Sequence, residues 1–179
     1  MAPEPFLGVT DRTPVQHHIL SVLVENKSGV LSRVAGLFAR RGFNIYSLAV
    51  APAETSARFS RITIVVDAES APLEQIVEQL DKLVNVVEIS DISPKDALER
   101  ELLLATIRTD VNSRTPLSDV VANSGAAIVD VDAHSITLML AGTPAACDEL
   151  ERQLDNYDTV ELHRTGRVAL PRLGTTTSS

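Results

Sequence analysis

Apolar residues along this chain recur in two rhythms, and the rhythms follow one another in the same order twice. Ile19 to Glu25 is short, apolar and β-prone, the pattern of a buried strand. Val30, Leu31, Val34, Leu37 and Phe38 then recur at helical spacing, with Arg33, Arg40 and Arg41 outside the stripe. Gly42 stops that helix as a glycine just past its end. Asn44 to Val50 reads as a second strand, Pro52 to Ala57 as a loop and Phe59 to Val66 as a third strand. Ser70 caps a helix with Pro72 in its first turn and Leu73, Ile76, Val77 and Leu80 on its apolar face. Val84 to Ile89 closes the unit as a strand, giving the order β, α, β, β, α, β.

The second half repeats that order. Glu101 to Arg108 is a strand, and Thr115-Pro116 opens a helix with Leu117, Val120 and Val121 as its buried stripe. After Gly125, Ala126 to Val131 and Ser135 to Ala141 form a tight hairpin. Thr143-Pro144 opens a helix carrying Leu150 and Leu154, and Thr159 to His163 returns as a strand. The halves also share a register: Val34, Leu37, Phe38, Gly42 and Ile45 align with Leu117, Val120, Val121, Gly125 and Ile128. Past the hairpin, Gln79-Leu80-Asp81 aligns with Gln153-Leu154-Asp155. The expected fold class is α+β, two tandem ferredoxin-like βαββαβ domains, each with two helices on one face of an antiparallel sheet. The expected boundaries are a flexible arm over 1–16, a first domain over 17–92, a hinge over 93–98, a second domain over 99–170 and a frayed tail over 171–179.

Helices cover one face of such a sheet. Val22, Val24 and Ile64 are expected on the opposite face, which then needs a cover, while open edge strands invite pairing. Side-by-side dimerisation meets both needs.

Composition narrows the function classes. A hydrophobic fraction of 44% supports real cores, and 3% aromatics means that Val, Leu, Ile and Ala build them. A formal charge of −8 argues against nucleic acid, which is bound by clustered Lys and Arg. Ferredoxin-like RNA binders stack bases on central-strand aromatics, and here those strands offer only Phe59. No apolar run approaches the roughly 20 residues that span a bilayer. Met1 to Gln16 lacks the basic start and apolar block of a secretory signal. Cys147 is a lone cysteine, which fits a reducing compartment, so a cytoplasmic protein is expected.

Catalytic chemistry is hard to find. Asp and Glu are scattered over polar helix faces, and His17, His18, His134 and His163 lack ligand-like spacing for a metal. Cys147 replaces an apolar residue of the first copy and reads as a small buried side chain; as a nucleophile it would need an activating base. No Gly-rich phosphate loop occurs. What remains is Asn26, Ser28, Gly29 and Asn44. The amides of Gly29, Val30 and Leu31 at a helix start can donate to a carboxylate, helped by the helix dipole. Asn26 and Asn44 each offer a donor and an acceptor, suited to an ammonium and a carboxylate on one molecule. Equally, Asn26 and Ser28 can simply cap the helix while Asn44 fills a turn. Residue chemistry alone leaves both open.

The stretch HILSVLVENKSGVLSRVAGLFARRGFNIYSLAVAP, followed by SRITIVV, LEQIVEQLDKLVNVVEI and ERELLLATI, resembles the small, regulatory subunit of acetohydroxyacid synthase (acetolactate synthase). The resemblance runs from His18 to Leu170, and its N-x-x-G-x-L-x-R-V and R-G-[FY]-N-I segments go beyond generic ACT-domain features. It implies a valine-sensing ACT domain that dimerises, followed by a second ferredoxin-like domain. It also implies a chain without chemistry of its own, which activates a catalytic large subunit and confers feedback inhibition on branched-chain amino acid biosynthesis. Thiamine diphosphate, Mg and FAD then belong to that partner, with no cofactor or metal in this chain. Carried over by motif, the effector site takes Asn26, Gly29, Val30 and Leu31 from one chain and Asn44 and Ile45 from its neighbour. The second copy has Thr109 and Asn112 in place of Asn26 and Gly29, so its equivalent site looks lost. Two other classes stay open: a stand-alone amino-acid-sensing ACT protein, and a small ferredoxin-fold hydrolase using Arg33 or Arg108.

Overall fold

The structure is a computed structural model, and it describes residues 17–53, 57–67, 73–93, 95–110 and 114–174. The arm, Ser70 and Pro72, Asn112 and the tail beyond Gly174 lie outside the described residues. The first unit comprises β1 (His17–Glu25), α1 (Val30–Arg41), β2 (Ile45–Pro52), β3 (Phe59–Asp67), α2 (Leu73–Asp81) and β4 (Val86–Ile92). Its strands lie in the order β2-β3-β1-β4, every neighbouring pair antiparallel. This is the ferredoxin-like arrangement expected from the repeat.

α1 forms because its apolar residues fall on one stripe: Val30, Val34, Leu37 and Phe38 are buried against the sheet. Arg40 and Arg41 occupy its last turn, where cations favour the negative end of the helix dipole. Gly42 ends it at φ 71°, its N–H donating to the Ala39 carbonyl. Beneath both helices lie Leu20, Val22 and Val24 from β1, Ile62, Ile64 and Val66 from β3, and Ile76 and Leu80 from α2. Burial of each such side chain is worth about 1.5–3 kcal/mol.

Val22, Val24 and Ile64 are therefore on the helix face, contrary to the sequence expectation. Strand alternation places Leu20, Val22 and Val24 together, so Ile19, Ser21 and Val65 face away from the helices. The chain itself supplies part of the cover there: Ile19, Val65 and Ile92 pack with Ala97 and Ala169 in a separate buried cluster.

The second unit comprises β5 (Ala97–Arg108), α3 (Arg114–Ser124), β6 (Ala127–Val131), β7 (Ser135–Gly142), α4 (Pro144–Leu154) and β8 (Thr159–Arg164), with β9 (Val168–Pro171) added. The order β6-β7-β5-β8 repeats that of the first sheet. Leu103, Ala105, Ile107, Leu117, Leu138 and Leu150 are in its core. Thr143 caps α4, its hydroxyl accepting from the Ala146 N–H at 3.2 Å, with Pro144 next. β5 is longer than expected: Ala97 and Leu98, read from sequence as hinge, already pair with Pro171 and Leu170 of β9. The signal for this extension was weak, because β9 is only 4 residues long.

Polar contacts join the two units beside β2. The Arg167 N–H donates to Ser47 Oγ at 2.8 Å. Gly166 precedes it at φ 80°, and a Cβ there would stand 2.7 Å from Ser47 Oγ, so only glycine allows this approach. Arg167, 8% exposed, pairs at 3.2 Å with Glu99 and with Glu101, and its guanidinium lies 4.9 Å from the Tyr46 ring centroid. Arg164 also binds Glu101 and reaches Asp148 at 2.6 Å and Glu151 at 3.1 Å. Burial opposes the Arg164 charge, but hydrogen bonds to Asp148 and Glu101 outweigh it and raise its pKa.

Candidate functional site

Val30, 4% exposed, pins the start of α1 to the core, and only its backbone faces the preceding turn. Gly29 reaches that start in the left-handed region, φ 82° and ψ −5°, and no side chain caps the helix. Val30 N–H donates to the Lys27 carbonyl at 3.3 Å, and Arg33 N–H to the Gly29 carbonyl at 3.1 Å. Among the described residues no acceptor meets the N–H groups of Gly29 or Leu31. Such unpaired donors at the positive end of a helix suit an anion.

Asn26 does not cap these amides. Its Nδ2 donates to the Ala57 carbonyl at 2.8 Å and its backbone N–H to the Arg58 carbonyl at 2.9 Å. The side chain is thus tied across to the β2–β3 connection, leaving its Oδ1 as an acceptor. Arg33 Nη1 donates to Asn85 Oδ1 at 2.8 Å, Asn85 Nδ2 to Glu25 Oε2 at 2.5 Å, and Lys27 Nζ to Glu25 Oε1 at 3.0 Å. Hydrogen bonds from Lys27 and Asn85 hold the Glu25 carboxyl below its ordinary pKa.

Asn44 and Ile45 lie elsewhere. Asn44 is exposed just before β2, and its Nδ2 donates to Asp67 Oδ2 at 2.8 Å. Ile45 pairs with Val66 and packs half-buried against the first core. Asp67 is opposite His17 and Phe59 is opposite Glu25, so Asn44 and Gly29 sit at opposite ends of the sheet. β1 has 9 residues, which puts the ends about 27 Å apart at roughly 3.4 Å per residue. One chain brings Asn26, Gly29, Val30 and Leu31 together and keeps Asn44 and Ile45 away from them.

The other candidates resolve differently. Cys147 is fully buried, and burial pushes its thiol pKa up, the reverse of activation. Among the described residues no three His, Cys, Asp or Glu side chains converge as metal ligands. Arg33 is bonded to Asn85 and Arg108 to Asp158 at 2.8 Å. Thr109 is buried with its N–H on the His134 carbonyl at 2.7 Å. No helix of the described residues is long and apolar enough to cross a membrane. Sequence reasoning did not single out Asp67, which the strand register brings to Asn44. Beside β2 there is also a groove of about 690 Å³ walled by Leu48, Val50, Leu98, Val168 and Leu170.

Residues 20–88 match the family model described as an AHAS small subunit-like ACT domain, and residues 100–173 match the small subunit of acetolactate synthase. The chain belongs to the acetolactate synthase small-subunit family. Its acetolactate synthase small-subunit relative from Mycolicibacterium smegmatis is 45% identical over 155 residues, covering 87% of this chain and 91% of that protein. Acetolactate synthase small subunit 2, chloroplastic, of Arabidopsis thaliana is 42% identical over 158 residues, 88% of this chain and 32% of that one. The crystal structure of the Thermotoga maritima small subunit superposes with TM-score 0.83 at 35% identity, covering 90% of this chain and 100% of that chain. Membership gives the chain the role of a regulatory small subunit of acetolactate synthase.

Proposed function

We propose that this chain binds valine between two ACT domains and passes feedback inhibition to the catalytic large subunit, which it otherwise activates. The observation that carries the reading is the α1 start: uncapped amides at Gly29 and Leu31, with Asn26 turned aside to the Ala57 carbonyl. Those amides receive the carboxylate of the amino acid. Asn26 Oδ1 accepts from its ammonium, and Leu31, 43% exposed, offers an apolar contact to its side chain.

Asn44 and Ile45 enter from a second copy. Among the described residues β2 pairs with β3 alone, which leaves its other edge without a strand partner. If two such edges pair antiparallel about a two-fold axis, the partner's Asn44 lies near the Pro52 end of this β2. Pro52 is opposite Ser60, and Ser60 is opposite Val24, which places that end beside Gly29. Two identical half-sites thus complete each other.

The effector unit spans 17–92, and the second unit runs from Ala97 at the start of β5 to Pro171 at the end of β9. Thiamine diphosphate, Mg and FAD serve the catalytic partner in the cytoplasm. A coupling free energy of about 1–3 kcal/mol between valine and the catalytic state is enough for clear feedback. The test is to mix the full chain with an acetolactate-forming catalytic subunit and follow the rate with and without valine. A rate raised by the chain and lowered again by valine is expected. No effect of the chain, or activity from the chain alone, overturns the reading.

A further inference from the structure

Resting on the effector site just proposed, we infer that Asp67 is a positioning residue that fixes which end of the Asn44 amide the ligand meets, and so selects an amino acid over its 2-oxo analogue.

A primary amide offers NH2 at one end and a carbonyl oxygen at the other, and the end turned to a ligand decides what it can accept. A carboxylate takes hydrogen bonds, so Asp67 Oδ2 holds the NH2 of Asn44, at 2.8 Å. Asn44 Oδ1 is then the end left to face outward.

Asp67 is itself held in place. It ends β3 opposite His17, and its Oδ1 stands 3.2 Å from His17 Nδ1, without hydrogen-bond alignment. The His17 ring rests on Tyr46 with centroids 4.3 Å apart. Tyr46 in turn lies beneath the Arg167 guanidinium, anchored by Glu99 and Glu101. The carboxylate that orients Asn44 is therefore buttressed from the second unit.

An outward Oδ1 accepts from an ammonium. A 2-oxo acid of the same skeleton has no donor there, and its keto oxygen would oppose the amide oxygen. Both ligands keep the carboxylate for the α1 amides. Asn26 Oδ1, fixed by the Ala57 carbonyl, contributes to the same discrimination, and Asp67 sets the share that belongs to Asn44.

Calorimetry on the full chain with valine and with 3-methyl-2-oxobutanoate tests this. The unsubstituted protein is expected to prefer valine by about 10–100-fold, the worth of one hydrogen bond to a charged group. Asp67→Ala should narrow that preference by about tenfold, by weakening valine and leaving the oxo acid unchanged. Asp67→Asn, of the same size and able to pair with Asn44 either way round, should narrow the preference too, and it serves if Asp67→Ala fails to fold. Valine binding with an unchanged preference in these variants overturns the role of Asp67 alone, as does equal weakening of both ligands. If the unsubstituted chain binds neither acid, the effector site itself is refuted.

Discussion

Gly29 joins strand to helix at φ 82° and leaves space, a Cβ there meeting nothing nearer than Arg33 Nη2 at 3.8 Å. A side chain at this position therefore costs chiefly backbone strain, about 1–2 kcal/mol. Asp and Asn share size and backbone preference and differ in charge. Gly29→Asp should abolish valine binding, because its carboxylate competes for the anion position, while Gly29→Asn should retain most of it. Calorimetry on both variants checks this, and equal affinities would contradict an anion at the helix start. The helix start after Gly29 was legible in the sequence because a helix start and its flanking turn are local. Sequence left open whether Asn26 caps the helix, since its partner is the carbonyl of Ala57, 31 positions away.

Elements were read well where one apolar period is long. Val30, Val34, Leu37 and Phe38, and Leu150 with Leu154, are buried helix faces as read, whereas Leu31 of the same stripe is exposed. Thr143 caps α4 in a way that sequence alone implies, and Thr143→Ala should lower stability by about 1 kcal/mol, measured as the thermal midpoint with valine absent. The faces of the first sheet were harder. Leu20, Val22 and Val24 alternate with Ile19, Ser21 and Leu23, and both sets contain apolar residues, so periodicity could not say which faces the helices. The answer came from Ala97 and Ala169, remote residues that bury Ile19 and Val65 on the other side. β9 escaped notice for a similar reason: it is short, and both its strand partner β5 and the contacts of Ala169 with Ile19 and Val65 are remote in sequence.

At the scale of the molecule, Arg167 meets the first unit through Ser47 and Tyr46, and charged residues of the second unit hold it there. Glu101, 5% exposed, faces both Arg164 and Arg167. Removing one member of a buried charge group strands the others, so Glu101→Ala should cost about 3–5 kcal/mol in denaturant unfolding. A loss under about 1 kcal/mol would mean the pairing is solvated. Burial first, then the charge of Arg167, lowers the His17 pKa below 6.5, although Asp67 and Glu99 oppose this. A group with a depressed folded pKa supports the fold above its unfolded value, and that support is lost as pH falls. Stability should therefore decline below about pH 6.5 toward the folded pKa of His17. His17→Phe should flatten that part of a thermal-midpoint profile; an unaltered slope would place the titration elsewhere.

The central claim is that each effector site is shared between two copies, and mixed dimers test it most directly. Asn26→Ala chains and Asn44→Ala chains, each unable to bind valine alone, are unfolded together, refolded and titrated with valine. Shared sites give every mixed dimer one site with both asparagines intact, so random pairing should restore about a quarter of the normal binding capacity. No recovery in dimers shown to be mixed would contradict the account.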